Sequence, residues 1–312
     1  MTMLVDIWAK TGNMALPGNG PVLIWGFASS VGANAQIPGP IIEVTENDTL
    51  ELTLHNNLTF PTSITFPGQE FTPQPVKNPE GTLVSFNSET APNSSRQYII
   101  SPNRPGVFLY ESGTSSAAQI QMGLYGVIVV RPPGYIASAP STWTAYGQGT
   151  GSEYDIEKIL VIGEVDTSQH TQLDAGNQPD SYKPDFFLIN GRSFPDTISP
   201  DSSGSQPYSS KIAASTGQRV LLRIINAGFT NHNIRFQIPD VRIVAVDSWP
   251  LMSASLDGTY RKNTITIGAG ESYDLLFTAP PQGRYLIYDR SLQCTVNGNE
   301  FPGGIITVIE VA

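Results

Sequence analysis

Three histidines, His55, His170 and His232, and one cysteine, Cys294, are all the imidazole and thiol this chain possesses. Imidazole and thiolate are the side chains that take up protons near neutrality and bind transition ions, so chemistry of that kind has four residues to draw on. A single cysteine permits no intrachain disulfide. Set among apolar strands, it reads as an inert buried residue rather than a nucleophile. His55 stands at a strand end beside Asn56-Asn57 and reads as half-exposed, whereas His170, in the polar stretch "DTSQHTQLD", reads as a solvated loop residue. There is no Gly-x-Ser-x-Gly elbow, and a Ser–His–carboxylate triad would have to recruit one of these three histidines. The carboxylate that stands out is Glu111, between Tyr110 and Ser112 in "YESG".

The elements that must position these residues are strands. "GPIIEVTENDTLELTLHNNL" alternates apolar and polar residues on both sides of a turn at Glu46-Asn47-Asp48, as two strands with one buried face do. "FLYESGT" and "GLYGVIVVRPP" follow as two more. Gly-, Ser-, Thr- and Pro-rich sequence through 134–154 interrupts the pattern, which restarts at "EKILVIGEV" and runs through "DFFLINGRSFPD", "RVLLRIINAG", "VRIVAVDSWPL", "YDLLFTAP", "GRYLIYDR" and "GGIITVIEV". "GVFLYESG" and "GRYLIYDR" each lead, after a loop, to a Gly-led apolar strand, an internal echo that points to duplication. No segment longer than a few residues has a helical period. The prediction is an all-β chain of two Greek-key sandwiches, with an N-terminal domain over 1–140, a linker over 141–154 and a C-terminal domain over 155–312.

Composition narrows the function. The net charge of −10 leaves nothing to neutralise a phosphate backbone, which argues against nucleic acid. No run of about 18 apolar residues is present, so no membrane span is expected. Charged residues make up only 14 %, against about 25 % in ordinary domains. That scarcity fits an extracellular or cell-surface protein, or one whose faces are covered by neighbours; it fits equally the poverty of strands in Lys and Glu. The start "MTMLVDIWAK" has no basic segment ahead of an apolar one, so a cytoplasmic location stays open beside a mature chain cleaved from a leader. The sequons at Asn47, Asn57 and Asn93 matter only in a compartment that glycosylates.

In order along the chain, "IPGPIIEVTENDTLELTLHNNL", "PTSITFPGQ", "FLYESGT", "QMGLYGVIVVRP", "FFLINGRSFPDT", "LLRIINAG", "IVAVDSWPL" and "GGIITVIEV" resemble the successive landmarks of laccase-type multicopper oxidases. The resemblance implies two cupredoxin-like domains, a type 1 copper held by two His and a Cys, and a three-copper cluster held by eight His in His-x-His pairs. On a strand, residues i and i+2 face the same way, so such a pair aims two imidazoles at one pocket. Here the first pair falls on Thr65 and Pro67, and the second on Glu111 and Gly113. In "NAGFTNHNIRFQIPD" the pattern His-x-x-His-x-His falls on His232, Arg235 and Gln237, and the last pair falls on Tyr288 and Arg290. Cys294 lies beyond that pair with no His after it, and does not match the type 1 thiolate. Gln119 and Met122 keep the family's spacing before "GLYG", with packing as the simpler role for the methionine.

No copper cofactor is therefore expected. A guanidinium stays protonated and repels a cation, and three histidines cannot fill eight places. Glu111, Arg235, Gln237 and Arg290 are expected to meet at the former copper cavity. There they would form either an ion-paired filling, since buried charges must be paired, or a small-ligand site. The leading expectation is a copper-free scaffold that associates with copies of itself, in a closed homo-oligomer or a filament. The rivals are a residual oxidoreductase around Glu111, His232 and Cys294, and a small-ligand binder.

Overall fold

The computed structural model describes every residue except Asp180, Ser205 and Ala254. The alternating segments form strands that pair in the same pattern twice. In the first half, Thr2–Met14 runs antiparallel to Val22–Ala28 and parallel to Thr49–Asn56, which in turn pairs antiparallel with Ser94–Ile100. In the second half, Ile156–Val165 runs antiparallel to Phe186–Ile189 and parallel to Arg219–Asn226, which pairs antiparallel with Ser272–Thr278. The facing sheets repeat as well. Ile42–Thr45 lies parallel to Tyr125–Arg131 beside Gly106–Glu111, as Ile212–Ala214 lies parallel to Ile306–Val311 beside Gly283–Asp289. The internal echo is thus a duplicated sandwich, and the all-β, cupredoxin-like architecture expected from the sequence is present.

Each sandwich closes over its own core. One contains Leu50, Leu52, Leu54, Phe66, Phe108 and Ile128, the other Leu222, Ile224, Ile234, Phe236, Ile265 and Leu275. A third apolar cluster joins the halves, with Val107, Leu109, Val127 and Val129 packed on the same body as Val161, Leu188, Ile225 and Ala227. This seam explains why "GVFLY" and "YGVIVV" read as continuous apolar runs: alternate residues serve two different cores, so neither face is left for water. A turn at Asp247-Ser248 locks the seam. The Ser248 hydroxyl donates to the carbonyl of Val107 at 2.9 Å and accepts from its N–H at 3.0 Å. Gly106 makes that approach possible, because a Cβ there would lie 2.2 Å from the Ser248 oxygen, and its φ of +145° disfavours any side chain.

Two short helices depart from the sequence reading: α1 (Ser116–Gln121) and α2 (Thr167–Asp174). The second carries His170, which is buried, not solvated. The Asp166 side chain caps α2 by accepting from the Gln169 N–H. The His170 ring nitrogens meet the carbonyls of Leu23 at 2.7 Å and Gln121 at 3.1 Å, tying the helix to the first sandwich. Burial pushes the pKa of this ring down. The strand Thr2–Met14, which the sequence reading passed over, forms the centre of the first sheet. Segment 141–154 packs Ala145 and Tyr154 against Leu221 and Val244 on the outer face of the second sandwich.

Candidate functional site

The positions where the resemblance would put imidazoles form three separate neighbourhoods. In the first sandwich, Thr65 and Glu111 pair as an antiparallel bridge, with N–H to carbonyl distances of 2.8 and 3.1 Å. Gly113 lies against them, since a Cβ there would come 2.7 Å from the Thr65 methyl. Beneath lies a buried lattice of hydroxyls and amides. Ser63, Ser85 and Thr114 meet one another at 3.0–3.1 Å. Gln119 accepts from Thr62 at 2.8 Å and Ser112 at 2.6 Å. Every donor there has a neutral acceptor, so the interior is satisfied without a charge. Pro67 is exposed at the rim, and Met122 is buried in the core, as packing requires.

In the second sandwich, His232 starts a strand that pairs with Gly283–Asp289. Its ring is held between two carboxylates: Nδ1–H donates to Asp289 at 2.7 Å and Nε2–H to Glu164 at 2.7 Å, and all three side chains are fully buried. Burial disfavours the charged ring, yet hydrogen bonds with Asp289, Cys294 and Glu164 outweigh it and raise the His232 pKa to about 11. Glu164 is held below the usual carboxylate range: burial opposes this, but hydrogen bonds from His232 and Thr230 prevail. Cys294 completes the group, its sulfur and the ligand atoms of His232 and Asp289 all lying within 4.8 Å of one another. Burial pushes the thiol pKa up. The sequence reading found His232 and a buried Cys294 but passed over Asp289 and Glu164. Asp289 sits between Tyr288 and Arg290, inside the last pair that the resemblance marks, and that spacing was its available signal. Glu164 gives none, because it comes from a strand 68 residues away.

Arg235, Gln237, Tyr288 and Arg290 make up the third neighbourhood. The burial pattern along His232–Phe236 and Gly283–Asp289 puts Arg235 and Tyr288 on the outer side of the sheet, and Gln237 and Arg290 are exposed. Arg235 donates to Asn263 at 2.8 Å and Thr264 at 3.0 Å. Among the described residues no ion pair joins Glu111 to either arginine, so the expected meeting of Glu111, Arg235, Gln237 and Arg290 does not occur within one chain. The physical reason is the duplication itself: equivalent strands of the two copies carry these residues to different sandwiches. The buried ion-pair network lies elsewhere. Arg223, fully buried, reaches Glu157 at 2.7 Å and Asp274 at 2.5 Å, and Glu157 reaches Arg131 at 2.7 Å. Burial raises the Asp274 pKa in spite of Arg223.

Glu111 instead lines a cleft of about 310 Å³ at the seam between the halves. It continues the face of its strand that carries Val107 and Leu109. Pro67, Gly68, Arg104 and Phe108 line the same cleft from the first sandwich, and Ile225, Asp247 and Trp249 from the second. Arg104 lays its guanidinium 3.8 Å from the Trp249 ring centre and donates to the Gly68 carbonyl at 3.2 Å. Burial raises the Glu111 pKa to about 7. His55 plays no part: half-exposed as expected, it stacks on Trp8 and bonds Asp6 and Ser95.

Two tandem cupredoxin-like sandwiches define the class. Two multicopper oxidase family profiles match, one over residues 24–134 and the other over 164–310. The chain belongs to the multicopper oxidase family. It is 25 % identical to Laccase-13 of Arabidopsis thaliana across 83 % of this chain and 42 % of that protein. To the multicopper oxidase MmcO of Mycobacterium tuberculosis it is 25 % identical across 78 % of this chain and 46 % of that protein. It thus spans less than half the length of these relatives. A blue copper oxidase from Nitrosomonas europaea shares the fold with a TM-score of 0.76 at 24 % identity, covering 100 % of this chain and 86 % of that one.

Proposed function

We propose that this chain is a copper-independent member of the multicopper oxidase family, kept as a binding or assembly scaffold. The observation that supports the reading best is the Glu164–His232–Asp289 arrangement. Copper takes an imidazole through a ring lone pair, and both ring nitrogens here face carboxylates at 2.7 Å, which raise the ring's pKa to about 11 and so hold a proton on each. Thr65, Pro67, Gly113, Tyr288 and the arginines at 235 and 290 offer no imidazole for a cluster, and the neutral lattice around Ser63 and Gln119 needs no cation to satisfy it. The residues present do not fit the family's copper centres.

The assembly part rests on the outer face carrying Arg235, Gln237, Tyr288 and Arg290, together with the half-exposed Leu286. Such a mixed face is the kind that a second copy covers in a homo-oligomer or filament. Scarce surface charge favours an extracellular or cell-surface setting for it. Elemental analysis of the purified protein after dialysis against copper, with a phenol-oxidation assay, tests the reading. Sub-stoichiometric copper and no oxidation are expected, and a stoichiometric redox-active ion would overturn it. Size-exclusion chromatography with light scattering tests the assembly. Particles larger than one chain are expected, and monomers across the whole concentration range would remove that part.

A further inference from the structure

The seam cleft holds a carboxyl group with no protein partner among the described residues. The backbone of Glu111 is fully used by Thr65. Its side chain has no hydrogen bond and no ion pair among the described residues, while burial raises its pKa to about 7. Glu111 is only partly buried and opens onto the cleft, so a donor carried by a ligand can reach its oxygens. We propose that the seam cleft binds a small primary amine with an apolar body, its ammonium on Glu111 and its hydrocarbon against Val107, Phe108, Leu109 and Ile225.

Size, lining and charge all favour that class. A cleft of about 310 Å³ is roughly twice the volume of a cavity that accepts benzene and sits at the small end of ligand sites, which favour domain boundaries. Apart from Glu111, Asp247 and Arg104, the walls are largely hydrocarbon and aromatic ring. Two carboxylates against one guanidinium favour a cation over an anion, and the guanidinium is already engaged by the Trp249 ring and the Gly68 carbonyl. An ammonium beside Glu111 would restore its ionised form and offset the desolvation. The inference rests on the copper-independent reading, since a metal at Glu111 would take the same oxygens.

Isothermal titration of the full chain at pH 8 with cyclohexylmethylamine, and separately with cyclohexylacetate, tests it, with metal content measured on the same sample. The amine is expected to bind at millimolar concentration or tighter and the acid not to bind. In Glu111→Gln the amine should weaken by about tenfold or more, the scale of a lost hydrogen bond to a charged group. Equal binding of amine and acid, no amine binding, or an unchanged affinity in E111Q would overturn the proposal. If E111Q does not fold, the contrast between amine and acid on the unmodified chain decides. A copper-loaded sample defeats the copper-independent reading; a metal-free sample that ignores the amine defeats only this proposal.

Discussion

Replacing His232 by leucine removes the cation between Glu164 and Asp289 and leaves two carboxylates facing each other with no exposure to water. Removing one partner from a buried pair costs about 3–5 kcal/mol. For a cooperative unit of 150–250 residues each kcal/mol moves the melting point by about 2–4 °C, so H232L should melt about 6–20 °C lower. The pH dependence carries a sharper signature. The folded pKa of His232 is raised from 6.5 to about 11, so its contribution is complete below 6.5 and fades as pH climbs through 11. Glu164 is lowered from 4.5, so its contribution is complete above that value and fades on acidification. The triad therefore stabilises most between about pH 4.5 and 6.5. Guanidinium unfolding at pH 6, 8 and 10 should show the wild type losing stability as the His232 contribution fades. A loss in H232L below about 1 kcal/mol at pH 6, or a wild-type stability that does not fall between pH 6 and 10, would refute the charged triad. So would a melting point of the wild type that rises with added copper.

Other consequences are open to the same measurements. Glu111 is an acid whose folded pKa is raised from 4.5 to about 7, so the fold loses stability as pH rises through that interval. E111Q should abolish this limb and be more stable than the wild type above pH 7 by up to about 3 kcal/mol. Arg223→Met strands Asp274 and leaves Glu157 with Arg131 alone, and should cost about 3–5 kcal/mol, with Asp274→Leu in the same chain recovering part of it; an additive double variant would count against the network. Gly106→Ala drives a methyl into Ser248 and should cost about 1–3 kcal/mol. That cost should shrink when Ser248 is also changed to glycine, and a G106A chain as stable as the wild type would show that the turn yields freely.

The period-two alternation of segments such as "TLELTLHN" determined the strands from sequence alone, because a sheet with one buried face admits no other spacing of apolar residues. Ordered motifs pointed to the family, and the residue types at 65, 67, 113, 235, 237, 288 and 290 were legible because side-chain identity needs no coordinates. The long first strand was missed, since its exposed end, with Leu4 largely in water, weakens the apolar signal. His170 was misplaced because a polar helix buries it through two backbone carbonyls that leave no pattern in the chain. What only the tertiary structure decided is which groups meet. Asp289 and Glu164 reach His232 across 57 and 68 residues, and Glu111 turns toward the other half instead of toward Arg235. Hydrophobic periodicity says which way a side chain points from its own strand; the partner it finds depends on how the two sandwiches dock, which burial of the shared apolar seam settles.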